Sequence, residues 1–374
     1  MPVERVRAFA PGRVNLIGDH TDYNGGLALP FAIAEGITVT AEAAAVGAEA
    51  PAASAHADAA AQPAGVAVAG AGEPARIQAI ACDLDERDEF GVGEPAPQGG
   101  WRAFVRGTAG ELQRGGWTLP SAVLRIGGDL PRGAGLSSSA ALEVALCLAL
   151  LELALEPRPP RPAPVELARL CSRVENDWVG ARTGLLDQLA SLCGEADQAV
   201  LIDFRTLEVQ LVPLGLGGWR LVVLDSGERH NVASSGYNDR RAECARACEL
   251  LGIDYLSEAD QGALDALPER LRMRASHVLG EDARVRAAAA ALHRGELEAL
   301  GPLLDASHES LRDLYEASTP TVDATAALLR ARGAAGARMI GGGFGGSVLG
   351  LFAPEVQPPD EALEVHPCAG ARVL

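Results

Sequence analysis

Two rhythms of apolar positions run through the chain. Residues 6–10 form a short apolar run, and residues 76–82 (Arg-Ile-Gln-Ala-Ile-Ala-Cys) alternate with period two; both predict strands. Residues 121–126 predict another, closed by Gly127 and Gly128. Trp101, Phe104, Val105, Thr108 and Leu112 recur at helical spacing and predict a helix over Trp101–Arg114. Residues 140–155 are apolar at nearly every position and carry Glu143 and Glu152, which predicts a buried helix rather than a membrane span. After a proline-rich link at 157–164, residues 165–178 and 185–193 predict two helices joined through Gly180 and Gly184. Strands are expected at 200–204, 208–212 and 220–225. From about Thr206 the pattern becomes strand, long helix, several Ala/Leu/Arg-rich helices, and a glycine-rich turn into a terminal strand at 347–352. That change sets the expected boundary between an N-terminal domain, 1–205, and a C-terminal domain, 206–374. Residues 41–72, mostly Ala, Gly and Pro, predict a poorly specified loop or hairpin insertion.

Composition narrows the chemistry. The 374 residues carry a formal net charge of -18, which disfavours nucleic acid and anionic membranes as partners. An anionic substrate must then be met locally by arginine, backbone N–H groups or a metal ion. All 32 basic residues are arginine. The absence of lysine excludes a P-loop ATPase, a protein-kinase fold and Schiff-base or PLP chemistry, each of which needs one. Seven cysteines are scattered, mostly through apolar patterns. Cys244 and Cys248 share a helix face, but no second pair completes a zinc site. Reduced core thiols and an N-terminus without an apolar signal core make the cytoplasm the expected location.

Three segments carry candidate chemistry. Residues 12–26 pack Arg13, Asp19, His20, Asp22 and Tyr23 between glycines, directly after the first apolar run; a simple turn has no use for so many charged groups. Gly133, Gly135, Leu136, Ser137, Ser138 and Ser139 precede the apolar helix. Unpaired amides and the helix dipole there would hold phosphates, with serine hydroxyls as further donors and one of them as a Mg²⁺ ligand. Asp187 sits near the start of a leucine-lined helix, where a carboxylate is costly unless paired or used. Residues 341–346 contain G-x-G-x-x-G, yet a strand follows the glycines and no helix opens there. They suit a turn packed beside the phosphate cradle better than a dinucleotide fingerprint. Glu175 is one acid among many, with an exposed look.

Together these segments resemble the galactokinases of the GHMP small-molecule kinase superfamily over nearly the whole chain. Residues 12–26 resemble the galactokinase signature, 131–142 the nucleotide-binding motif, 337–346 the glycine-rich third motif, 184–188 the segment with the catalytic acid, and 224–241 a sugar-contacting turn. The resemblance implies a two-domain α+β fold, with an S5-like α/β N-terminal domain, a ferredoxin-like C-terminal domain and the active site between them. It implies that Asp187 is the general base at the sugar's anomeric C1 hydroxyl, with Arg13 between it and the γ-phosphoryl group of ATP. Asp19, His20, Asp22, Gly184 and Tyr237 match sugar-contacting positions. Residues 133–139 would hold ATP, and Ser139 and Glu175 would ligate Mg²⁺. A fixed cation beside a carboxylate keeps it ionised and ready to accept a proton.

Some positions depart from the family. Asp19 stands where most galactokinases have Glu, which bears on sugar choice. Asn176, Ile340 and Ser347 replace a common His, Thr and Cys, and these changes bear on packing. The implied reaction is ATP-dependent phosphorylation of D-galactose to galactose 1-phosphate. Open alternatives are a kinase of a related sugar (N-acetylgalactosamine, arabinose or a uronic acid) and a catalytically silent sugar sensor. An NAD-binding oxidoreductase would rest on residues 341–346 alone. Sugar and ATP are the expected partners, and no protein partner is evident.

Overall fold

The computed structural model describes residues 4–44, 74–93, 95–131, 133–181, 183–228 and 235–374. Strands β1 (Arg5–Asn15), β2 (Leu27–Ala28), β3 (Pro30–Ala43), β4 (Arg76–Ala81), β5 (Glu86–Gly91) and β6 (Ala122–Gly128) open the chain, with helix α1 (Trp101–Arg114) between β5 and β6. Helices α2 (Ser138–Leu153), α3 (Pro164–Arg173) and α4 (Leu186–Cys193) follow, then β7 (Gln198–Asp203), β8 (Glu208–Pro213) and β9 (Arg220–Asp225). Next come α5 (Ser235–Leu251), α6 (Glu269–His293), α7 (Leu300–Asp313) and α8 (Pro320–Ala331). The chain ends with β10 (Gly336–Met339), β11 (Ser347–Phe352), β12 (Leu363–Val365) and β13 (Arg372–Val373).

The strands form sheets ordered β13-β1-β3-β6-β4-β5, β10-β11-β9-β12 and β2-β7-β8, antiparallel except for the parallel β4–β6 pair. Helix α2 is apolar all round because it is enclosed: it packs on β1 and β3 and is flanked by α1, α3 and α4. Leu112, Leu124, Leu146, Leu150 and Val174 belong to this core. A second core joins Leu16, Phe31 and Ile33 to Val285, Leu292, Leu304 and Leu349, so apolar packing runs unbroken from the first strands into the C-terminal helices and sheet. The turn at 205/206 joins β7 to β8, which pair with one another. No helix among the described residues is long and apolar enough to cross a membrane.

Five expectations need correction. The first strand does not stop before the polar loop but runs on to Asn15, so Arg13 projects from rigid backbone. The helix expected at 165–178 breaks after Arg173 into a π-helical turn, Val174–Val179, which carries Glu175. Strand β11 is not terminal: β12 extends its sheet, and β13 returns to pair with β1. Residues 41–43 belong to β3, with Ala41 opposite Leu124, while 45–72 of the expected insertion lie outside the described residues. The cysteines are free, but Cys82 is exposed rather than in a core.

Candidate active site

A cleft of ≈ 240 Å³ is lined by Arg13, Asp19, His20, Asp22, Gly133, Gly135, Leu136, Ser137, Ser138, Ser139, Glu175, Gly184, Asp187 and Tyr237, whereas Tyr23 of the polar loop does not line it. Arg13 reaches it through a bulge, since the β1–β3 register shifts between Pro11 and Arg13. A Cβ on Gly12 would lie 2.7 Å from the Leu136 carbonyl oxygen, so only glycine lets β1 come this close to the cradle. The Arg13 amide donates to that same carbonyl at 3.2 Å. Its guanidinium grips Oδ1 of Asp187 through Nε (2.7 Å) and Nη2 (2.6 Å), and donates through Nη1 to the Gly135 carbonyl (2.7 Å). Arg13 is buried, whereas the Asp187 side chain stays 28% exposed, available to a ligand in the cleft. The other Asp187 oxygen, Oδ2, accepts the Ser137 hydroxyl at 2.5 Å.

The polar loop after β1 supplies the far wall. His20 adopts φ 62, and burial drives its pKa well below the ordinary value, so the ring is neutral at pH 7. Its Nδ1 meets the Tyr23 hydroxyl at 2.9 Å, while buried Nε2 has no partner among the described residues. Such an orphan is what a sugar hydroxyl would satisfy. The Tyr23 hydroxyl continues to Tyr315 (2.7 Å), and Tyr315 to the Cys244 thiol (3.1 Å). Burial and the neighbouring Asp187 charge raise the Asp22 carboxyl to about 6. A Cβ on Gly184 would fall 1.9 Å from its Oδ2. Tyr237, near the start of α5, stacks at 5.5 Å between centroids from His20.

Asp19 is held from behind. Oδ1 accepts the Asn15 amide at 2.8 Å, and Oδ2 pairs with Arg338, whose side chain is 0% exposed and whose Nη1 also binds the carbonyls of Asn15 (3.0 Å) and Leu16 (3.1 Å). Burial still outweighs Arg338 and leaves the Asp19 carboxyl above its usual range. Helix α6 fixes the loop backbone at three points. Glu281 accepts the Gly18 amide (3.0 Å), His277 Nε2 donates to the Asp19 carbonyl (3.2 Å), and Asp282 accepts the Leu27 amide (2.8 Å). Because Nε2 donates, the neutral His277 ring accepts the Ser310 hydroxyl at Nδ1 (2.8 Å). Burial opposes the Glu281 charge, but His277, Arg284, Arg338 and the Ser307 hydroxyl together hold it at about 2.

Opposite the loop lies the cradle. Helix α2 starts at Ser138, which is exposed; Arg132, in the same motif, lies outside the described residues. The turn at 341–346 lines the cleft between β10 and β11, and the Ile340 carbonyl is 3.8 Å from where a Gly135 Cβ would stand. Glu175 is buried rather than exposed, and burial raises its pKa. It accepts hydrogen bonds from Thr183, Ser139 and Gln188 (3.1 Å for the last). The same Gln188 amide nitrogen lies 3.2 Å from Glu143, a fully buried carboxyl with one oxygen unpartnered among the described residues. No group of three or more His, Cys, Asp or Glu is placed to hold a metal among the described residues. One hydroxyl and one carboxylate, with room for phosphate oxygens and water, is nevertheless the donor set Mg²⁺ takes beside a nucleotide. Ser139 and Glu175 therefore fit it.

Arg338, His277, Glu281, Asp282, Tyr315 and Gln188 support this site without having been recognised from the sequence. The available signal was charge set among apolar neighbours: Arg338 between Ala337 and Met339, and Glu281 and Asp282 following Val278 and Leu279.

Comparison with known proteins gives a consistent result. The galactokinase galactose-binding signature matches residues 2–43, the GHMP kinase N-terminal domain 103–195 and the GHMP kinase C-terminal domain 288–368. The galactokinase of Thermotoga neapolitana is 36% identical over 92% of this chain and 89% of its own length. That of Streptomyces coelicolor is 38% identical over 98% and 93%. The structure of Lactococcus lactis galactokinase complexed with galactose superposes with a TM-score of 0.83 at 28% identity, covering 99% of this chain and 95% of that one. Methanococcus jannaschii mevalonate kinase, at 15% identity and a TM-score of 0.62 over 99% of both chains, shares the fold. The chain belongs to the galactokinase family, enzymes of the GHMP kinase superfamily.

Proposed function

We propose that this protein transfers the γ-phosphoryl group of ATP to the C1 hydroxyl of D-galactose, giving galactose 1-phosphate. The observation that carries the reading is the position of Asp187, clasped by Arg13 and placed on one cleft with both the polar loop and the phosphate cradle. His20, Asp22 and Tyr237 would bind sugar hydroxyls, with Gly184 giving Asp22 its space. Residues 133–139 would receive the ATP phosphates on backbone amides at the start of α2. Asp187 would take the C1 hydroxyl proton as the oxygen attacks phosphorus, and Arg13 would neutralise charge shared between base and phosphoryl group. Ser139 and Glu175 would hold Mg²⁺, which supplies charge neutralisation on the phosphates. Little covalent help is needed, since alignment and electrostatics carry most of the rate. Seven free cysteines suit a reducing compartment, and we assign the reaction to the cytoplasm.

One observation favours a second reading. Both Asp19 oxygens already hold protein partners, so this acid has less to offer a sugar than a longer Glu would, and a related sugar kinase is the natural alternative. A coupled ATPase assay over a sugar panel, with the product located by phosphorus NMR, tests both. The expected outcome is preference for galactose, phosphate on C1, and loss of ~10²–10⁴ in kcat for Asp187→Asn. Preference for another sugar, or an undiminished Asp187→Asn enzyme, overturns the proposal.

A further inference from the structure

We propose that Ser137 is a positioning residue for Asp187 rather than a phosphate donor of the cradle. The proposal rests on reading Asp187 as the base.

Ser137 occupies the N-cap of α2 but does not cap it. Its side chain makes no bond to the helix amides, and its φ of 58 and ψ of 51 are left-handed, a conformation costly for any residue with a Cβ. A turn flanked by Gly133 and Gly135 could be closed by another glycine at no such cost. What serine gains there is one contact: its hydroxyl donates to Oδ2 of Asp187 at 2.5 Å. Arg13 takes Oδ1 with two nitrogens and is itself anchored on the Gly135 carbonyl. Each carboxylate oxygen is thereby held separately. The second side-chain torsion of aspartate, normally broad, is confined to one setting. The remaining acceptor capacity of Oδ2 then has a fixed direction in which to receive the substrate proton. A serine hydroxyl has one proton, so while it donates to Asp187 it cannot also donate to a phosphate oxygen.

The test compares wild type with Ser137→Gly and Ser137→Ala, using galactose, ATP and Mg²⁺. Glycine relieves the left-handed backbone, so its Tm should equal or exceed that of wild type. Its kcat should fall about 10- to 100-fold, the range of a hydrogen bond to a charged group, with KM for ATP within about threefold. Ser137→Ala keeps the Cβ and reports loss of the hydroxyl alone, with the same fall in kcat. Wild-type kcat in both variants, or a loss confined to KM for ATP, overturns the inference. Asp187→Asn is measured alongside. If it stays active, the base assignment has failed. If it is inactive while both Ser137 variants match wild type, only the present inference has failed.

Discussion

At the scale of single residues, Arg338 and Asp19 show how a shortened acid is accommodated in the site. Arg338 is fully buried and directs its Nη2 to Asp19 and its Nη1 to the carbonyls of Asn15 and Leu16, so removing it strands a carboxyl and two backbone acceptors together. Breaking a buried pair from one side costs ~3–5 kcal/mol, and Arg338→Met should lose about that in urea unfolding at pH 8. The loss should be smaller at pH 5, because burial already favours the protonated Asp19 carboxyl and the stranded group can take up a proton. Arg13, His20 and Asp187 were legible as chemistry because charged residues crowded between glycines, or a lone acid among leucines, have no cheap structural use. Arg338 was not, because its partners lie more than three hundred residues away in sequence, and a charge between apolar neighbours in a short strand does not say what it pairs with.

At the scale of elements, α6 acts as a clamp. Its His277, Glu281 and Asp282 hold the backbone of Asp19, Gly18 and Leu27, the stretch that presents His20 and Asp22 to the cleft. Glu281→Ala leaves the Gly18 amide and the Ser307 hydroxyl without their acceptor, at a cost of ~1–3 kcal/mol in unfolding free energy. Since the loop binds sugar in this account, KM for galactose should rise more than kcat falls. An equal fall in kcat with unchanged KM would show that the clamp does not act through sugar binding. Periodicity revealed α1, α2 and most strands because each buries one regular face, or every face. It gave no sign of β3, whose residues 30–33 are buried on consecutive positions and so show no alternation. Nor could it show the π-helical turn. That turn is closed by the Ala181 amide on the Glu175 carbonyl (3.0 Å) and by the left-handed Gly180, and π-turns often mark functional sites.

At the scale of the whole molecule, the buried titrating groups oppose one another. Burial lowers His277 and His308 to about 4, so their contribution to stability is full above about 6.5 and is lost as pH falls through about 4. Burial raises Asp22 and Asp282 to about 6, so their contribution is full below about 4 and is lost as pH rises through about 6. Between these limits the two pairs offset. Glu281, held at about 2, adds stability that is present above about 4.5 and disappears towards pH 2 with nothing opposing it. Denaturant unfolding across pH should therefore show an acid limb below about 4.5 that Glu281→Gln flattens; an unchanged acid limb in that variant would contradict the assignment. The joining of both halves through one apolar core, and the return of β13 to β1, place the polar loop and the cradle on opposite walls of a single cleft. The most direct measurement is a crystal structure with galactose and a non-hydrolysable ATP analogue bound. The galactose C1 hydroxyl should lie within hydrogen-bond reach, ~2.6–3.2 Å, of Asp187 Oδ2 and in line with the terminal phosphorus. A sugar bound with C1 turned away from Asp187 would contradict that placement.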